Sequence, residues 1–346
     1  MSRRTSVGEP RAVQYSARPR PPLPAQDNIL ALTLALCLSA APAAPARPLW
    51  TLVTRDQGFV AFDGEYPFSE SIIEVGKARI RLLIAAGPLP VGRDAVRSWV
   101  EAAAKATALY YGRFPNDDVT ITVLPGGHGH VFGGMTFAGR TVRINVGREA
   151  TAASMAADWR LPHELLHLAF VDLDDQYLYL EEGLATYVEP IIRAQAGQIS
   201  DARVWGDFLD GMPNGAPSKG DRGMDTTHSW GNLYWGGARF WLLVDLEIRQ
   251  RTLGKKSLRD ALRGILDEGG DGKVHLELAR MLTLGDSATG TTVLQDLHAR
   301  MGLKSEPAEL DALWKKLGVE QRAGTVVFQD DAPLAAVRKA ITRPAR

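Results

Sequence analysis

Two histidines four positions apart, His163 and His167, with a carboxylate directly after the first, constrain this 346-residue chain more than any other feature. They sit in the run Pro162-His163-Glu164-Leu165-Leu166-His167-Leu168. Residues four apart on an α-helix project from one face about a turn from each other, so a helix here lets both imidazoles reach one cation. Glu164 then stands beside the first ligand, where its carboxylate can take a proton from a metal-polarised water. On these residues alone two readings stand: a metal centre, or a helix carrying two surface or core-edge histidines.

The rest of the composition limits what such a metal could be held by. Cys37 is the only cysteine, so no intramolecular disulfide and no thiolate site can form. The ligands must be His, Asp or Glu. Lys+Arg and Asp+Glu are both 40, and that balance gives no electrostatic case for nucleic acid as a partner. With 45% hydrophobic residues, the length suffices for a large buried core.

The first 46 residues read as a leader and signal peptide. Met1 to Asp27 is rich in Arg and Pro, Asn28–Ala40 is an apolar run, and Ala41–Ala46 is small-residue and Pro-rich. A short apolar core followed by small residues marks a secretory signal, here with cleavage near Ala44 or Ala46. It falls short of the roughly 20 residues that a spanning helix needs. The expectation is an exported protein, periplasmic or secreted, with no stable membrane insertion after cleavage. An uncleaved anchor is the alternative.

Residues 47–150 form the β-rich part. Val119–Leu124 and Thr141–Val146 alternate at period two, while a helix over 92–111 carries Val96, Trp99, Val100 and Ala103 on one stripe. Residues 151–270 are helical, with Ser257 and Asp260 spaced as a capping box and Gly269 and Gly270 able to end that helix. In the C-terminal segment, 271–346, short helices are expected over 291–301, over 308–317 and from Pro333 onward, with an extended piece over 325–328. The class is α+β: a small mixed or antiparallel sheet with an edge strand, over a helical metal-binding lobe.

Glu181 and Glu182 follow His167 by fourteen and fifteen positions, in Leu180-Glu181-Glu182-Gly183-Leu184-Ala185. A helix here packs on the first through Leu184, Val188 and Ile192, and two His with one carboxylate is a common catalytic zinc set that leaves a fourth position to water. At this point the chain resembles the gluzincin (peptidase MA-like) zinc metallopeptidases, whose third ligand is a Glu in an Asn-Glu-Gly-Phe-Ala-like motif. Matching Glu-Gly-Leu-Ala to that motif implies Glu182 as the third ligand. Glu181 and Glu189 are then solvated or supporting carboxylates, and Thr186 is placed to hydrogen-bond a ligand imidazole.

Two further stretches carry the resemblance. Tyr234-Trp235-Gly236-Gly237-Ala238 is similar to the Tyr-x-x-Gly-Ala motif of the aminopeptidase-N-like and glycyl-aminopeptidase-like families, which implies that the Tyr234 hydroxyl stabilises an oxyanion. Gly133-Gly134-Met135-Thr136 stands where gluzincin aminopeptidases carry a Gly-x-Met-Glu-Asn-like edge strand. The resemblance therefore implies substrate pairing along Gly133, Gly134 and Met135. Thr136 departs from the family, because the acidic residue that would bind a free substrate amine is replaced. The resemblance covers roughly residues 133–266 and implies a thermolysin-like catalytic core.

Of the remaining histidines, His228, six residues before Tyr234, is a candidate second oxyanion donor. His128 and His130 read as parts of a flexible loop, and His275 and His298 as structural residues in amphipathic helices. The reading is a Zn2+-dependent metallopeptidase acting on a peptide or protein substrate, with Glu164 as general base. Its rivals are a catalytically inactive peptidase-like binding module and a non-peptidase zinc amidohydrolase.

Overall fold

A computed structural model describes residues 68–344. The leader, the signal segment with Cys37, and the first part of the β-rich region, residues 47–67, lie outside the described residues. The chain first makes β1 (Phe68–Val75), β2 (Ala78–Ala85), helix α1 (Arg93–Tyr111), β3 (Asp118–Pro125), β4 (Val131–Phe137) and β5 (Thr141–Val146). These strands form one mixed five-stranded sheet in the order β1-β2-β3-β5-β4. β1 and β2 are an antiparallel hairpin, β2, β3 and β5 run parallel, and β4 pairs antiparallel with β5 at the far edge.

The sequence explains this order. β3 and β5 alternate, burying Val119, Ile121 and Val123 from one and Val142, Ile144 and Val146 from the other. α1 supplies the crossover that parallel β2 and β3 require, and its stripe of Val96, Trp99, Val100 and Ala103 joins the same core cluster. Gly112, with φ +83°, caps α1 in the left-handed conformation that glycine adopts at least cost. β4 turns into β5 through Ala138 and Gly139, both at positive φ, and a bulge interrupts the ladder between Val131 and Gly133.

Beyond the sheet come α2 (Ala152–Ala157), α3 (Arg160–Leu166), α4 (Leu178–Gln195), α5 (Asp201–Gly211), α6 (Gly237–Arg251), α7 (Leu258–Asp267), α8 (Leu278–Thr289), α9 (Val293–Leu297) and α10 (Leu310–Leu317). A small hairpin of β6 (Val319–Arg322) and β7 (Thr325–Phe328) and a last helix, α11 (Ala335–Thr342), complete the described chain. The helices share a second core cluster that includes Tyr187, Trp205, Phe208 and Trp241. α7 opens as its sequence suggests: the Ser257 N–H and hydroxyl both donate to the Asp260 carboxylate, at 2.9 and 2.8 Å. No helix among the described residues is long and apolar enough to cross a membrane.

Two sequence expectations are corrected here. His275 is not helical: it forms an isolated bridge with Asp172, and its Nδ1 lies 2.9 Å from the Asp172 carboxylate. α8 starts only at Leu278, three residues beyond His275. His298 lies in a π-turn, His298–Gly302, with Nε2 3.0 Å from the Asp225 carboxylate.

Candidate metal centre

α3 and α4 bring the candidate metal-binding side chains together. His163 lies inside α3 and His167 at its C-terminal cap, so the four-residue spacing places both on one helical face. Glu182 projects from the second turn of α4. One ligand atom from each of His163, His167 and Glu182 can be chosen so that all three lie within 4.8 Å of one another. Among the described residues this is the one group of its kind. The His163 Nε2 is 3.2 Å and the His167 Nε2 3.7 Å from Glu182 Oε2. Donors about 2.0–2.2 Å from a tetrahedral zinc stand about 3.4 Å apart, so this set fits that ion in type, number and spacing.

The electrostatics agree with the geometry. Burial alone would raise Glu182, but the charge of His167, the hydrogen bond with His163 and a hydrogen bond from the Tyr234 hydroxyl outweigh it and hold the carboxyl at about 2. His163 is only 4% exposed. Burial works against its protonation, yet the Glu182 hydrogen bond and the neighbouring carboxylates shift it upward overall. Negative and positive groups therefore answer one another inside the cleft, the condition under which buried charges are tolerated.

A close backbone crossing sets where Tyr234 lies. A Cβ built on Gly183, next to Glu182, would come within 2.3 Å of the Gly237 Cα, and one on Gly237 would meet the Tyr179 carbonyl at 2.1 Å. Only glycine at both positions lets α4 and the start of α6 touch. Just before that crossing the chain makes a π-turn, Asn232–Gly236, of the kind often found at functional sites. Tyr234 sits in this turn, its ring stacked on His163 at 6.2 Å between centroids.

Edge strand β4 closes the site from the sheet side. Gly134 pairs with Ile144, Met135 with Arg143 and Thr136 with Val142, which leaves the other edge of Gly133, Gly134 and Met135 without a partner strand in the sheet. Gly134 abuts the general-base candidate: a Cβ there would meet Glu164 Cγ at 2.8 Å. Thr136, where the resembling families carry an acidic residue, donates its hydroxyl to Glu164, with Oγ1 2.8 Å from Oε2 and 2.8 Å from the backbone carbonyl.

Two sequence expectations about the surroundings change, those for Thr186 and Glu189. Thr186 does not meet an imidazole; its hydroxyl donates to the Glu182 backbone carbonyl at 2.7 Å. Glu189 is not solvated: it is buried and paired with Arg193 at 2.8 Å, and burial pushes its carboxyl up to about 7 against that pairing. Glu181 accepts the Leu173 N–H at 3.1 Å, and burial raises it to about 8. His228 is exposed in the loop before the π-turn, and no hydrogen bond or ion pair joins it to another described residue. The His130 Nδ1 stands 2.7 Å from the Glu149 carbonyl, while His128 is exposed.

Two aromatic neighbours went unread in the sequence. Trp159 sits one turn before His163, with ring centroids 5.3 Å apart, and Trp230 one turn before Tyr234, at 5.6 Å. The same four-residue spacing that marked the histidines was the available signal.

No family profile and no curated protein matches this chain by sequence. Solved structures do match. An aminopeptidase N family protein from Idiomarina loihiensis superimposes with a TM-score of 0.59 at 14% identity, over 73% of this chain and 49% of that one. An M1 zinc metallopeptidase from Deinococcus radiodurans gives 0.46 at 18% identity, over 70% and 54%. Aminopeptidase A from Legionella pneumophila, in complex with aspartic acid, gives 0.47 at 14%, over 70% and 28%. The chain thus spans about half the length of the first of these. At 14% identity, the likeness to the aminopeptidase N family structure is one of fold.

Proposed function

We propose that this chain is a zinc-dependent metallopeptidase that hydrolyses peptide bonds, built on a thermolysin-like catalytic arrangement. The observation that carries the reading is the convergence of His163, His167 and Glu182 within 4.8 Å, with Glu164 adjoining on α3. His163, His167 and Glu182 would hold the ion. Zinc held there would supply a bound water with its pKa lowered to about 7.

Each other part is played by this chain's own groups. Glu164 accepts the proton of the attacking water and passes it to the leaving nitrogen, held in place by the Thr136 hydroxyl and by the close approach of Gly134 on the same strand. The Tyr234 hydroxyl, now on Glu182, is near enough to the ligands to turn to a developing oxyanion. The free edge of Gly133, Gly134 and Met135 takes an extended peptide as an added strand, which fixes the scissile carbonyl by main-chain hydrogen bonds. Export is part of the proposal, supported by the apolar run and small residues of Asn28–Ala46; N-terminal sequencing of the mature chain tests it.

The test of activity is a digest of an unbiased peptide library by purified protein, with and without chelator, beside Glu164→Gln. Cleavage that chelator removes and zinc restores, and that Glu164→Gln lacks while keeping its metal, is the expected result. Cleavage that persists in Glu164→Gln overturns the mechanism.

A further inference from the structure

The large apolar side chains exposed in the described chain include four aliphatic ones, Leu109, Leu253, Val274 and Leu303, and three aromatic ones, Phe132, Trp159 and Trp230. Both exposed tryptophans touch residues of the candidate site. Trp159, 45% exposed, makes an edge-to-face contact with His163, and Trp230, 64% exposed, leans on Tyr234 with planes 32° apart. Because Tyr234 itself stacks on His163, the four rings form one unbroken series of contacts that begins and ends in solvent. Its middle is a metal-ligand candidate and the proposed oxyanion donor.

An exposed indole loses little by scattering singly over a surface, but each of these two abuts a residue of the candidate site. Arg160 covers part of Trp159, with its guanidinium carbon 4.9 Å from the ring centroid, whereas Trp230 has Tyr234 as its one described ring neighbour. Trp230 therefore offers more free ring, at the side of the residue that would face the scissile carbonyl. Aromatic faces pair best with other aromatic or large apolar groups.

Resting on the peptidase reading, we infer that Trp230, with Trp159 as a second wall, forms a specificity surface that selects peptides carrying a large apolar or aromatic side chain next to the scissile bond.

The test uses two peptides of one length that differ at a single position, phenylalanine in one and alanine in the other. Their kcat/KM ratio is measured on the zinc-loaded chain and on Trp230→Ala, Trp230→Phe and Leu253→Ala. The unaltered chain is expected to favour the phenylalanine peptide by about tenfold or more, within the range that hydrophobic pockets achieve. Trp230→Ala should bring the ratio close to one, while Trp230→Phe keeps most of it and Leu253→Ala, remote and 87% exposed, keeps all of it. A ratio near one in the unaltered chain, or a ratio that Trp230→Ala leaves intact, overturns the inference. Titration calorimetry of both peptides on zinc-loaded Glu164→Gln, with and without Trp230→Ala, reads the same surface without turnover. If neither peptide is cut, the peptidase reading has failed. The titration then still decides the surface: weaker phenylalanine-peptide binding in the Trp230→Ala background upholds it, and equal binding overturns it.

Discussion

The Thr136 hydroxyl shares its one proton between two acceptors of Glu164, lying 2.8 Å from its Oε2 and 2.8 Å from its backbone carbonyl. One side chain of the edge strand thus fixes both the helix position and the carboxylate orientation of the proposed base. Groups that orient a metal site's working residues typically matter by about 10–100-fold. Thr136→Val is expected to lower kcat by about tenfold with KM little changed, and Thr136→Ser to restore most of it. Equal activity in all three proteins, measured under saturating substrate, would show that the contact only packs.

The replacement of an acidic residue by Thr136 also bears on substrate polarity. A buried ammonium is costly unless a carboxylate meets it. Thr136 spends its hydroxyl on Glu164, Glu189 is taken by Arg193, and Glu181 accepts the Leu173 N–H. N-terminally acetylated peptides should therefore be cleaved at least as well as free ones. A tenfold preference for the free amine in kcat/KM, about 1.4 kcal/mol, would mean that an amine anchor exists elsewhere in the cleft.

Metal content checks the ligand set. The chain should hold one zinc, and either His163→Ala or Glu182→Ala should abolish tight binding by elemental analysis. Chelator should also lower the melting temperature of the unaltered chain, since an ion that binds only the folded state stabilises it. Undiminished zinc in Glu182→Ala would move the third ligand to another carboxylate.

Tyr234→Phe should keep the metal and lower kcat by roughly 10²–10³, the effect of losing one oxyanion donor. Because the same hydroxyl bonds Glu182, zinc affinity should be measured beside kcat. A fall confined to zinc affinity would limit Tyr234 to holding the ligand.

Glu189 gives a pH signature. Burial raises its carboxyl to about 7, above the ordinary 4.5, despite the Arg193 partner. A raised folded-state pKa means the native state binds more protons than the unfolded chain between those values. The group's stabilising contribution is therefore complete below about 4.5 and is lost as pH rises through about 7. The melting temperature of the unaltered chain relative to Glu189→Gln should fall across that window. A difference that is flat or rises with pH contradicts the assignment.

What the sequence made legible is what period and short motifs encode. The spacing of His163 and His167 and the alternation of β3 and β5 carry their geometry within a few residues, so both are visible before folding. Glu182 was distinguishable from Glu181 only through the motif resemblance, since both stand on adjacent positions of one helix. The contact of Thr136 with Glu164 joins an edge strand to a helix, and nothing local encodes it. His275 was misplaced for a similar reason: its partner, Asp172, is distant in sequence, and nothing local marks the bridge between them. Glu189 looked solvated because acidic residues usually are; only the packing of α4 against its neighbours, with Arg193 one turn on, encloses it.

The crossing of Gly183 and Gly237 has a consequence for how such a site can change over time. Glu182 and Tyr234 are each measured from the same point of backbone contact, like two gauges zeroed on one mark. A side chain at either glycine would displace both at once, so the proposed ligand and the hydroxyl cannot drift separately. Parts that are not tied to that mark, the exposed tryptophans and the edge strand, can be altered without moving this pair.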